Sequence, residues 1–93
     1  MSKSKDEILL KVQAAQDLSS DDPERAEQLL RSALRDAEAL GQSSPALHLL
    51  LAELLRRLRK TRQALEELSE VLALDPFNLV AVSLLRSLGR RVR

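Results

Sequence analysis

One internal repeat constrains the fold of this chain more than any other feature of its sequence. Moving the segment around residues 64–72 back by 38 positions superimposes apolar residues on apolar residues, in the pairs Ala26–Ala64, Leu30–Leu68, Ala33–Val71 and Leu34–Leu72. Apolar residues that recur three and four positions apart line one face of an α-helix. The sequence therefore predicts two copies of one helical unit that share an aliphatic interior.

Helical periodicity extends over almost the whole chain, and no segment shows the period of two, bounded by turn residues, that marks a strand. The pattern predicts five helices, the first over about 5–18 and the last over about 78–88, with its end at Gly89. We expect Val82 and Leu85 to be the core contacts of the last helix. The third helix is apolar almost all round, so it should lie in the middle, packed on more than one side.

Residue types that favour helix ends stand between the periodic segments. Asp22 and Ser44 are suited to N-caps, and each precedes a proline, whose missing N–H costs nothing at the first helical position. Ser4 with Glu7 forms a capping-box signature for the first helix. Gly41 is well placed as the C-terminal cap of the second. Local chemistry thus marks the same boundaries as the periodicity.

These signals predict one small domain of antiparallel hairpins joined by short connections. The expected organisation of residues 1–93 is a first hairpin over about 5–41, a second over about 45–75, a capping helix over about 78–89 and a basic tail over 90–93. At this length only about two thirds of the unfolded surface can be buried, so every helix must contribute an apolar face.

A pattern of small and large apolar residues closed by a proline spans residues 45–78 and recurs in part in the first hairpin. Its positions are Ala52, Ala64, Leu68, Val71 and Pro76, with Ala26, Leu30 and Ala33 in the earlier copy. A small residue at a helix crossing lets two axes approach to about 8–10 Å, and proline ends the second helix. This segment resembles a tetratricopeptide repeat. The resemblance implies an all-α fold, a tetratricopeptide-like α-solenoid of antiparallel helical hairpins.

The resemblance is to a degenerate member with about two repeats and a C-terminal capping helix. His48 stands where the family usually has a large aromatic residue, Leu55 replaces a common tyrosine and Arg59 replaces a frequent turn glycine. Matching the first helix in the same register leaves Gln13 and Asp17 at core positions.

The resemblance also implies a binding face, because the first helices of such repeats line a concave groove that often holds peptides. By matching positions, the groove residues are Ala46, Leu49, Glu53, Arg56 and Arg57 from the third helix, with Ser83, Ser87 and Arg90 from the fifth. The set is mixed apolar and basic, so an acidic or carboxylate-terminated peptide is the natural ligand, with Arg56 and Arg57 as anion donors. The family's two-carboxylate clamp is absent, since Leu50 replaces its asparagine.

Composition excludes most catalytic and cofactor chemistry. The chain has one histidine, no cysteine and two glycines far apart, too few residues for zinc sites, triads or phosphate-binding loops. We interpret His48, which lies among leucines, as structural and predict a non-catalytic protein without metal or cofactor. A polar N-terminus without a long apolar stretch predicts a soluble, cytoplasmic protein.

Charge is distributed unevenly along the chain. Residues 1–44 carry six Lys/Arg against nine Asp/Glu, whereas residues 45–93 carry nine against five. The strongest cluster comprises Arg56, Arg57, Arg59, Lys60 and Arg62, at the end of the third helix, where cations favour the helix dipole. Nucleic acid is disfavoured as a partner because no recognition motif or aromatic platform accompanies these cations.

A protein-interaction adaptor, scaffold or assembly module is the function that this architecture favours, with another protein or peptide as partner. Three alternatives stay open: a homo-oligomeric module, such as a dimer through the fifth helix, an engineered helical-repeat scaffold without a natural ligand and, as the least favoured, an accessory nucleic-acid binder. The fifth helix is more apolar than a cap that faces water, which indicates a partner surface, a dimer interface or a fragment of a longer array.

Overall fold

The computed structural model describes residues 5–42 and 44–91, which contain five α-helices and no strand. The helices are α1 (Lys5–Leu18), α2 (Pro23–Ala39), α3 (Pro45–Arg57), α4 (Thr61–Leu74) and α5 (Leu79–Arg91). Two hairpins form, because α1 pairs with α2 and α3 with α4, while α2 packs on α3 and α4 on α5. The predicted all-α fold of about five helices is confirmed, and α3 is packed on both sides as its apolar circumference predicts.

The residues of the internal repeat lie together in the core. The buried members are Ala26, Leu30, Ala33 and Leu34 in α2, and Ala64, Leu68 and Val71 in α4. The alanines present only a methyl group to the neighbouring helix, so the helix axes can approach closely there. The leucines one turn away fill the space on either side of each crossing, and one aliphatic cluster runs through both hairpins.

The N-caps predicted at Asp22 and Ser44 are confirmed. The side chain of Asp22 accepts a hydrogen bond from the backbone N–H three residues on at 3.3 Å, and Ser44 does the same at 3.2 Å. Asn78 is a further cap, with an N–H···O distance of 2.9 Å at the start of α5. Ser4, predicted for α1, lies outside the described residues.

Helices α2 and α3 end in the same left-handed motif but with different residues at its centre. Gly41 has a φ of 71° and Arg59 a φ of 62°. The backbone N–H groups of Gly41 and Gln42 bond to carbonyls of the last turn of α2 at 2.9 Å, and those of Arg59 and Lys60 bond to the last turn of α3 at 3.0 and 2.9 Å. Glycine adopts this conformation freely, whereas a residue with a side chain loses about 1–2 kcal/mol. Arg59 therefore carries backbone strain.

The structure defines the register of α1, which the repeat leaves undefined. Ala15 takes the place in α1 that Ala52 takes in α3, and both are 1% exposed. These alanines are 37 positions apart, one fewer than the spacing between α2 and α4. Because of this shift of one residue, Gln13 and Asp17 are exposed rather than buried.

Two expectations about α5 are wrong. The helix does not end at Gly89 but continues to Arg91. Its interior face consists of Ala81, Leu84 and Leu88, whereas Val82 is half-buried and Leu85 is 36% exposed. Among the described helices α5 packs mainly on α4, and this single neighbour selects the face that is buried.

Replacing Ala64 by leucine tests the close crossing of the helices. Ala64 is fully buried, so the added atoms must displace a neighbouring helix, and we expect a loss of about 1–3 kcal/mol in the free energy of unfolding. Ala73→Leu adds the same atoms to an exposed position of α4 and should change stability by less than about 0.5 kcal/mol. Urea unfolding followed by circular dichroism measures both, and equal effects would contradict a close crossing at Ala64.

Replacing Arg59 by glycine should remove the strain at the end of α3. We expect Arg59→Gly to raise the free energy of unfolding by about 1 kcal/mol, offset in part by the flexibility of glycine in the unfolded chain. Arg59→Ala keeps the strain while removing the guanidinium, so it serves as the control and should not stabilise. Gly41→Ala should destabilise by about 1 kcal/mol because of its positive φ, although a Cβ there meets no atom within 4 Å. A stabilising Arg59→Ala would indicate that the side chain, not the backbone, is unfavourable.

Candidate protein-binding groove

A groove runs between α1 and α3. At one end, an open recess of about 620 Å³ is bordered by α1, the end of α2 and the start of α3. Most of its lining is apolar and comes from Ile8, Leu9, Val12, Ala46, Leu47 and Leu50, with Lys5 beside them. At the other end, a recess of about 190 Å³ lies between Gln16 and Ser19 of α1 and Glu53 and Arg57 of α3. Leu50 lines both parts, so we treat them as one feature, the α1–α3 groove.

The α3 side of the groove follows from helical spacing. Ala46, Leu50, Glu53 and Arg57 are separated by four, three and four positions, so they lie along one face of α3. The opposite face of the helix is buried in the core. Along this one face the surface changes from apolar near the start of α3 to charged near its end.

The structure brings together some of the predicted groove residues and separates others. Glu53 and Arg57 line the groove with α1, whereas Leu49 and Arg56 line neither of its two parts. Leu49 is half-buried and packs against the core. On α5, Ser83 and Ser87 are exposed, and the side chain of Arg90 lies outside the described part of the chain.

The α1 side of the groove was missed by sequence reasoning, because the resemblance did not place α1 in register. Leu9 lines the apolar part and is 65% exposed. Its neighbour Leu10 is 66% exposed but does not line the groove. The signal in the sequence was the run of three apolar residues Ile8, Leu9 and Leu10, because one buried face of a helix cannot take up three consecutive positions.

Arg56 carries an unsatisfied donor. Its Nε atom is buried and has no hydrogen-bond partner among the described residues, and the side chain as a whole is half-buried. A buried donor without a partner costs about 1–3 kcal/mol. A guanidinium binds a carboxylate through two parallel hydrogen bonds, so an anionic group that reached Arg56 would satisfy this atom.

The predicted basic cluster is partly neutralised within the fold. Lys60 Nζ donates to Glu27 Oε1 at 2.7 Å, and Arg31 Nε donates to Glu27 Oε2 at 2.8 Å. Arg31 also donates to Gln63 at 2.8 Å, so the network joins α2 to the second hairpin. Glu27 is only 8% exposed, and no apolar pattern marked it as a buried position. Lys60 therefore serves stability and is not free to bind a partner.

The ionised form of Glu27 is favoured by this network. Burial by itself raises the pKa of the carboxyl group, but the hydrogen bonds from Lys60 and Arg31, together with their positive charges, outweigh burial. The pKa of Glu27 consequently lies below its ordinary value. The pair of cations thus keeps a buried carboxylate charged between the two hairpins.

Polar pairs also join the two helices inside each hairpin. His48 Nδ1 lies 2.7 Å from Glu67 Oε1, linking α3 to α4. In the first hairpin, Lys11 Nζ donates to Ser32 at 2.6 Å and pairs with Asp36, linking α1 to α2. The single histidine therefore has a partner within the fold. No group of three His, Asp or Glu side chains in residues 5–42 and 44–91 is arranged to hold a metal ion.

Comparison with known proteins identifies the family. The tetratricopeptide repeat profile matches residues 17–88, which is most of the chain, so this protein belongs to the tetratricopeptide repeat family. Repeats of this family generally mediate protein–protein interaction and are typically non-catalytic. No curated protein and no solved structure matches the chain. Within the described residues, no helix combines the length and the apolar character needed to cross a membrane.

Acid titration tests the Glu27 network. Because the pKa of Glu27 is lower in the folded than in the unfolded chain, its ionisation contributes stability at pH values above about 4.3, and this contribution is lost as the pH falls through the folded pKa. Glu27→Gln should lower the melting temperature at pH 7, and its difference from the wild type should shrink towards pH 3. Glu66→Gln changes an exposed carboxylate of α4 and is the control. A constant difference between pH 7 and pH 3 would contradict the assignment.

Proposed function

We propose that this protein is a non-catalytic interaction adaptor that binds an extended segment of another protein in the α1–α3 groove. The observation that carries the proposal is the pair of adjoining recesses between α1 and α3, one apolar and one charged, which share Leu50 as a lining residue. An extended peptide fits such a surface because it can place successive side chains in recesses of different character. The family's general role in protein–protein interaction supports the same reading.

The apolar part of the groove selects the main anchor of the ligand. A recess of about 620 Å³ falls within the size range of sites that enclose a large side chain or a small ligand. Its lining by Ile8, Leu9, Val12 and Leu50 favours a branched aliphatic or aromatic side chain. Burial of such a side chain contributes about 25 cal/mol for each Å² of apolar surface removed from water.

The charged part of the groove favours a carboxylate on the ligand. Arg57 lies in the smaller recess, where an acidic side chain or a terminal carboxylate of the ligand would pair with its guanidinium. Arg56 lines neither part of the groove, so it belongs to the proposal only as a secondary contact. Glu53 in the same recess disfavours a second carboxylate next to the first. The ligand is thus an extended segment with one apolar anchor followed by one acidic group.

The remaining predicted positions extend this surface towards α5. Leu49, Ser83, Ser87 and Arg90 belong to the proposal as secondary contacts for a longer ligand. We further propose a cytoplasmic location, with which the absence of cysteine is compatible.

Two adjacent leucines provide a matched test of the groove. Peptides selected on the wild-type protein from a random display library should share a large apolar residue and a carboxylate. One of the selected peptides is then synthesised, and its dissociation constant is measured by fluorescence anisotropy. Leu9→Glu places a charge in the apolar recess and should weaken binding at least about tenfold, or about 1.4 kcal/mol. Leu10→Glu, equally exposed but outside the recess, should change the constant by less than about twofold.

Circular dichroism verifies that both variants keep the helicity of the wild type. The proposal fails if Leu10→Glu weakens binding as much as Leu9→Glu, or if selection enriches no peptide.

A further inference from the structure

Helix α5 occupies the same place relative to α4 as α3 occupies relative to α2. Both helices have 13 residues, and α5 begins 34 positions after α3. This shift superimposes the residues that pack on the preceding hairpin, in the pairs Leu47–Ala81, Leu50–Leu84 and Leu54–Leu88. The first and last pairs are buried and Leu50 and Leu84 pack against the core, so the correspondence holds in burial as well as in position.

The same shift shows which face of α5 lacks a covering helix of the kind that α4 provides for α3. In α3, His48 pairs with Glu67 of α4, and the residues on that face, Leu51, Ala52 and Leu55, are almost completely buried. The corresponding positions of α5 are Val82, Leu85, Arg86 and Gly89. Leu85 is 36% exposed, Arg86 is exposed, and a Cβ added at Gly89 meets nothing within 4 Å. Among the described helices, none covers this face of α5 as α4 covers α3.

Charge indicates what kind of helix fits the open face. Residues 79–93 contain four arginines and no carboxylate. Arg86 stands at the position that Ala52 occupies in α3, so a helix packed on this face must pass close to a guanidinium. A helix without carboxylates would leave that cation unpaired on partial burial, which is unfavourable.

We propose that the face of α5 formed by Val82, Leu85, Arg86 and Gly89 docks an acidic amphipathic helix of another protein. Helix α4 of this chain shows the chemistry required. It covers α3 with Ala64, Leu68 and Val71, and it carries three glutamates, Glu66, Glu67 and Glu70, against one arginine. A partner helix with apolar residues at that spacing and glutamates beside them would cover α5 from the side on which α4 covers α3. Because Arg86 replaces Ala52, the two helix axes would lie farther apart, and a glutamate of the partner would pair with Arg86.

A second copy of this chain is a poorer occupant of the face. Two α5 helices packed together through this face would bring Arg86 of both copies close, without an aspartate or glutamate in either helix to balance the two charges. Like charges at an interface oppose association. The α5 face is also separate from the α1–α3 groove, so the inference does not rest on the proposed function.

The test uses a capped synthetic peptide of residues 61–74, which is the sequence of α4, labelled and titrated with the full chain by fluorescence anisotropy. A second peptide carries E66K, E67K and E70K. The protein variants are Leu85→Asp, Arg86→Glu and, as a control in the groove, Leu9→Glu. Circular dichroism of each variant verifies helicity, and Arg86 is exposed, so its replacement does not disturb the core.

The wild type should bind the acidic peptide and gain helical signal on binding. Leu85→Asp should weaken this binding at least about tenfold, and Leu9→Glu should leave it unchanged. Arg86→Glu should weaken binding of the acidic peptide and strengthen binding of the peptide that carries the three lysines. The proposal is overturned if the wild type binds neither peptide or binds both equally. It is also overturned if Leu85→Asp binds the acidic peptide as tightly as the wild type does, which is the result expected if the peptide displaces α4 from α3. It is also overturned if light scattering shows a wild-type dimer that Leu85→Asp converts to a monomer, because a second copy then occupies the face.

Discussion

The close approach of helices at buried alanines is the contact on which the rest of this structure depends. Ala15, Ala26, Ala52 and Ala64 all lie at or near zero exposure, one in each of the four helices of the two hairpins. With only a methyl group at each crossing, the helix axes can approach closely, and the leucines one turn away then reach across to form a continuous aliphatic core. The chain's single aromatic residue, Phe77, takes no part in this core and is 88% exposed.

Stacking of the two hairpins positions the groove. The apolar part is walled by α1 and α3, which belong to different hairpins, so its width depends on how α2 packs on α3. Glu27 accepts a hydrogen bond from Lys60, and Arg31 donates one to Gln63, so these two bonds hold α2 against the start of α4. The bond between Lys60 and Glu27 forms only when α2 lies against the second hairpin in this arrangement, so it favours this stacking of the hairpins over others. The network therefore links the stability of the stack to the shape of the proposed binding site.

The two proposed surfaces have different chemistry and share no residue, although the secondary contacts proposed for a longer ligand also lie on α5. The α1–α3 groove combines an apolar recess with Arg57 and suits an extended segment, whereas the face of α5 combines Val82 and Leu85 with Arg86 and suits a helix. Two partners could then be held at once without competing for the same residues. Holding two partners close raises the effective concentration of each for the other, which is how an adaptor promotes assembly without chemistry of its own.

The sequence by itself determined the elements that depend on neighbours along the chain. Helix periodicity, the caps at Asp22 and Ser44 and the glycine turn at Gly41 follow from contacts within a few residues, and the structure confirms them. The repeat positions were predictable because the periodicity gives α2 and α4 one clear apolar face each, and that face is the one the structure buries. Only the tertiary structure decided the register of α1, the buried face of α5, the burial of Glu27 and the pairing of α1 with α3 in the groove. The reason is physical: a helix forms from local interactions, but which of its faces is buried depends on the helices that surround it, and α5 has fewer such neighbours than α3.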